Sequence, residues 1–98
     1  MTKGYLKNKK GVCKVTFELP SQVDAKTATV VGDFNNWDAK ATPMKRKKDG
    51  SFSAAVNLEA GKEYRFRYLL DDTRWENDWG ADSYTPNAFG SEDSVVRT

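Results

Sequence analysis

Histidine is absent from the chain and cysteine occurs once, as Cys13. Without an imidazole there is no Ser-His-Asp or Cys-His constellation, and the usual donors of a transition-metal site are missing. A lone cysteine cannot close an intramolecular disulfide. Cys13 stands in an alternating apolar pattern, so it reads as a small buried hydrophobe in a reducing compartment. No apolar run near the amino terminus suits a signal peptide, and none approaches the ~20 residues needed to span a bilayer. No membrane partner is expected, and the chain reads as cytoplasmic. Gly61, Gly80 and Gly90 are isolated, which leaves no phosphate-cradling loop, and the alternating Asp/Asn spacing of a calcium loop does not occur. Sustained helical periodicity, internal repeats and low-complexity segments are also missing.

What remains is enough for one small core: 98 residues, 38% hydrophobic and 31% charged, with a formal net charge of +2. Lys3, Lys7, Lys9 and Lys10 crowd residues 1–11, where only Tyr5 and Leu6 could dock, so this stretch is expected to be a loosely ordered basic leader. Residues 12–98 carry the domain. Cys13, Val15, Phe17 and Leu19 alternate with Lys14, Thr16 and Glu18, the period-two signature of a half-buried strand that Pro20 ends. Thr29-Val30-Val31 is a short strand. Lys45 to Lys48 reads as a hairpin arm, with Asp49-Gly50 as a two-residue turn and Ser51 to Leu58 as the return strand. Tyr64, Phe66, Tyr68 and Leu70 alternate with Arg65, Arg67 and Leu69 in the most aromatic strand, the expected centre of the fold. Ser94 to Arg97 closes the chain. Six or seven short strands without a helix predict an immunoglobulin-like antiparallel β-sandwich, with Phe17 and Phe66 facing its core.

Gly32-Asp33-Phe34-Asn35-Asn36-Trp37-Asp38 follows the short Thr29-Val30-Val31 strand as a tight corner, since Gly, Asn and Asp tolerate left-handed backbone and hydrogen-bond their own turns. Its Trp37 is either an anchor on the core or a flat platform for a ligand. Trp75 follows a second turn, and Arg67 sits on the non-core face of the strand leading to it. Asn35, Asn36, Asn77 and Asn87 add amides in loops. Two indole planes with guanidinium and amide groups suit a neutral, hydroxyl-rich ligand with a flat C–H face, which describes a sugar.

Other chemistry is weaker. Asp71-Asp72 with Asp78 or Asp82 could be drawn as a glycosidase acid pair, but turns collect aspartate for backbone reasons and a small sandwich seldom holds the necessary cleft. The Lys45 to Lys48 run invites a nucleic-acid reading, yet alternation on a hairpin arm sends its charges to both faces. No nucleic-acid partner is expected.

GDFNNWD, MKRKKDGSF, AGKEYRFRYLLDD, RWENDWGADSYTPNAFG and SVV, in that order, resemble the glycogen- and starch-binding domain of the isoamylase amino-terminal type, carbohydrate-binding module family 48, over residues 12 to 98. The resemblance implies an early-set immunoglobulin-like sandwich, in a short free-standing bacterial form, that binds α-1,4-linked glucan without catalysis and without a cofactor. It implies stacking by Trp37 and Trp75, a basic contact from Arg67, and loop contacts from Phe89, Ser91 and Asp93. Asn35 and Asn36 are assigned to sugar hydroxyls. An α-glucan-metabolising enzyme is the implied protein partner, and the alternative is a protein-interaction or accessory module of an α-glucan-active glycoside hydrolase. Asp93 occupies a place where glucan-binding members often carry Asn.

Overall fold

The protein, described here from a computed structural model over residues 1–5 and 10–98, is all β. Its strands are β1 (Thr2–Tyr5), β2 (Val12–Leu19), β3 (Ala28–Gly32), β4 (Lys45–Arg46), β5 (Phe52–Glu59), β6 (Glu63–Leu70), β7 (Arg74–Glu76), β8 (Ser83–Pro86) and β9 (Glu92–Arg97). The pairings between them are antiparallel. One sheet runs β1-β2-β5-β4 and the other β3-β6-β9-β8, with β7 also paired to β6. The two sheets form the immunoglobulin-like sandwich that the alternating pattern predicts.

Alternation decides what lies between the sheets. In β2, Cys13, Val15, Phe17 and Leu19 are buried, while Lys14 and Glu18 face outward. In β6, Phe66, Tyr68 and Leu70 point the other way, into the same core. Phe17 meets Phe66 edge-on at 4.9 Å between ring centroids, and Tyr68 stands 5.6 Å from Phe66. Such edge-to-face aromatic pairs add about 0.5–1.5 kcal/mol beyond the area they bury. Cys13 has no exposure.

Two local expectations change. Residues 2–5 of the expected leader are a strand, paired in register with Thr16 to Cys13. Backbone pairing asks little of side chains, so a polar segment can add itself to the free edge of β2. Lys3 pairs with Asp82, and the Tyr5 hydroxyl donates to the Thr98 carbonyl at 2.6 Å, which ties this edge to the opposite sheet. The leader residues Leu6, Lys7 and Lys9 lie outside the described residues. The Lys45 to Lys48 arm is strand only over Lys45–Arg46, and its turn has three residues rather than two. Lys47 N–H donates to the Ser51 carbonyl and Gly50 takes φ +87°, the geometry of a turn closed by a left-handed glycine.

Candidate functional site

Since Phe66 and Tyr68 turn inward, Arg65, Arg67 and Leu69 turn to the outer face of the second sheet. An open cleft of about 670 Å³ lies there. Trp37, Arg67, Trp75, Phe89 and Asp93 line it, so it gathers five of the expected site residues from separate stretches of chain. Asp33, Arg65, Asn87 and Ala88 complete the lining.

The corner that presents Trp37 is built from inside outward. Gly32 passes so close to β6 that a Cβ would collide with the Arg65 carbonyl oxygen and stand 2.8 Å from the Phe66 Cβ. Asn35 folds back: its carbonyl oxygen accepts from Gly32 N–H, and its amide donates to the Val30 carbonyl and to Thr42 Oγ1, each at 3.0 Å. Asn36 and Trp37 then take φ +56° and +57°, and Trp37 N–H closes the loop on the Gly32 carbonyl at 2.9 Å. A left-handed tryptophan is strained by roughly 1–2 kcal/mol. The aromatic that anchors this corner is Phe34, stacked on Phe17 at 5.4 Å and edge-on to Tyr64 at 6.3 Å. Trp37 is therefore free to be displayed, and 37% of its surface is exposed.

The opposite wall comes from β7, whose Trp75 pairs with Leu69 and so shares the outer face of β6. Trp75 is 45% exposed, with the Arg67 guanidinium 5.6 Å from its ring centroid, within the range of a cation–π contact. Arg67 Nε is buried and has no hydrogen-bond partner among the described residues. Phe89 overhangs the cleft, almost wholly exposed, from a loop that Asn87 braces by accepting from the N–H groups of Phe89 and Ser91. Asn87 in turn donates to Asp93 at 3.1 Å, and Arg65 lies 4.0 Å from the other Asp93 oxygen. Asp93 thus acts here as a buried brace for the loop.

Three expected residues fall outside this lining. Asn35 has both amide hydrogens donated within the corner. Asn36 is exposed on the turn. Ser91 sits in a bend beyond the loop tip. Three lining residues were not picked out from the sequence: Asp33, Arg65 and Ala88. Arg65 could have been found, because it shares the two-residue repeat of Arg67. Asp33 could not, since a turn aspartate looks the same whether it braces backbone or a side chain.

Of the acids weighed as a catalytic pair, Asp71, Asp78 and Asp82 are engaged in hydrogen bonds within the fold. Asp71 accepts from the N–H groups of Thr27 and Lys26 and is held below the usual carboxylate range by those bonds. Asp78 is buried and accepts from the Tyr68 hydroxyl at 2.6 Å and from Gly80 N–H. Burial, together with Asp78 itself, pushes the Tyr68 hydroxyl far up. Burial works to raise Asp82, but its bonds to the Arg97 N–H and to Lys3 outweigh this and lower it. Asp71, Asp72, Asp78 and Asp82 all lie outside the cleft lining.

The family model for carbohydrate-binding module 48, the isoamylase N-terminal domain, matches residues 5–85. It takes in Trp37, Arg67 and Trp75 and ends before the Phe89 loop. A 1,4-alpha-glucan branching enzyme of Photobacterium profundum is 32% identical over 79 residues, which cover 74% of this chain and 10% of that protein. The chain therefore spans about a tenth of that relative's length.

Proposed function

The chain belongs to the carbohydrate-binding module 48 family, and from that premise we propose that its cleft binds α-1,4-linked glucan without catalysing its cleavage. The observation that carries this reading is the meeting of Trp37 and Trp75, far apart in sequence, as exposed rings lining one cleft. Exposed rings of this kind can stack on the C–H faces of glucose units. Arg67, with its guanidinium 5.6 Å from the Trp75 ring centroid, lines the same cleft and supplies N–H donors for a hydroxyl. Charge supports a neutral ligand: two arginines and two aspartates line the cleft, so its formal sum is zero.

An open platform predicts modest affinity, with a dissociation constant between about 10 μM and 1 mM. Phe89 extends the apolar surface beyond the two indoles. The matched segment of the relative is part of a 1,4-alpha-glucan branching enzyme, which supports an α-glucan-active enzyme as the partner we propose. Calorimetry with maltoheptaose on wild type, Trp37→Ala and Trp75→Ala tests the site. Both variants should bind measurably more weakly, and unchanged affinity in both would overturn it.

A further inference from the structure

We propose that Asp33 is a positioning residue of the cleft, fixing the Trp37 indole in its stacking orientation before a glucan arrives. The inference rests on the reading of Trp37 as a stacking platform. Asp33 Oδ1 accepts from Trp37 Nε1 at 3.0 Å, and Oδ2 accepts from the Arg65 backbone N–H at 2.8 Å. A carboxylate accepts at both of its oxygens, so Asp33 meets one donor at each without offering a proton in return. Arg65 N–H is rigid because it belongs to β6, the strand that also carries Arg67, so the indole is referred to the same framework as the rest of the cleft.

The need for such a tether follows from the corner. Trp37 has a left-handed backbone, lies outside the regular strands and is over one third exposed, so packing holds only part of its side chain. An untethered ring would lose its rotamer freedom at the moment of binding, which costs affinity. The tether has a second consequence. With Nε1 committed to Asp33, the indole offers a ligand its face and not its N–H, so hydroxyl recognition falls to Arg67 and its neighbours.

Asp33→Ala should weaken maltoheptaose binding between about threefold and tenfold, the range for ordering one side chain on binding. Asp33→Ala also strips the Arg65 N–H of its acceptor, so a modest drop in the thermal midpoint is expected and affinity is read well below it. In the Trp37→Ala background the same change should have no further effect on affinity, because nothing is left to position. The Trp37 indole N–H resonance, identified by its loss in Trp37→Ala, should shift and exchange faster in Asp33→Ala; a purely structural aspartate would leave it in place. Asp33→Asn repeats the test with the shape kept, since its amide can accept from only one of the two donors, and it should show a smaller loss. Full affinity in Asp33→Ala, with Trp37→Ala still impaired, would overturn the tether and leave the glucan site standing. An Asp33→Ala loss that persists undiminished in the Trp37→Ala background would also overturn it. Unimpaired binding by Trp37→Ala would remove both.

Discussion

Phe34 and Trp37 stand close together in one turn and do opposite work. Phe34 packs on Phe17 and Tyr64, whereas Trp37 lines the cleft. Trp37→Ala and Trp75→Ala should each remove about 1–3 kcal/mol of glucan affinity, in the range of stacked platforms, and leave the melting temperature nearly unchanged. Phe34→Ala should do the reverse, lowering stability by about 2–4 kcal/mol in denaturant melts. If Trp37→Ala lowers stability as much as Phe34→Ala does, the assignment of anchor and platform is inverted. The turn was legible in sequence as a corner presenting an indole, because Gly, Asn and Asp announce a turn. Which aromatic went inward was not, since that depends on the ring of Phe17 across the sandwich. A second residue-scale test lies in the core. Tyr68→Phe leaves the buried Asp78 carboxylate short of its hydroxyl donor, and should cost about 1–3 kcal/mol in the same melts.

β2, β5 and β6 were legible because each sets apolar against polar residues at every second position and has one face to bury. β1, β7 and β8 were not. They are three or four residues long and largely exposed. Their pairing is decided by the edge they meet rather than by their own pattern. The cost was functional as well as topological, because β7 carries Trp75 to its place opposite Leu69. The β3–β6 contact gives the prediction at this scale. At Gly32 the two strands leave no room for a Cβ, and the obstacle is the Arg65 backbone carbonyl together with the Phe66 Cβ, neither of which can swing aside. Gly32→Ala should destabilise by about 1–3 kcal/mol through overpacking. It should also shift Arg65 and so disturb the corner, and a variant that melts and binds like the wild type would contradict this account of the β3–β6 contact.

At the scale of the whole molecule, the charges divide into those that hold the sandwich and those that line the cleft, and the two groups should respond differently to solution conditions. Asp71 joins the β6–β7 turn to the segment before β3 through two backbone N–H groups, which keep its folded value below the ordinary one. Its contribution to stability is therefore present above about pH 4 and is lost as pH falls through the lower folded value. Asp71→Asn should melt below wild type at pH 7, and the gap should narrow in acid below about pH 4; a gap that is constant with pH would exclude the carboxylate as its source. The cleft should behave otherwise. Its two arginines and two aspartates balance, and a neutral glucan releases no counterions, whereas binding a polyanion through several cations loses orders of magnitude between about 50 and 200 mM salt. No side chain of this histidine-free sequence has an ordinary pKa between about 5.5 and 8. Glucan affinity measured by calorimetry should thus be flat across both ranges, with no reducing sugar released from starch or glycogen during the titration. A steep salt slope would assign the cleft to an anionic partner, and release of sugar abolished by Asp78→Asn would make the chain a hydrolase. Flat affinity without turnover is the behaviour that the proposed glucan platform, lined by Trp37, Trp75 and Arg67, requires.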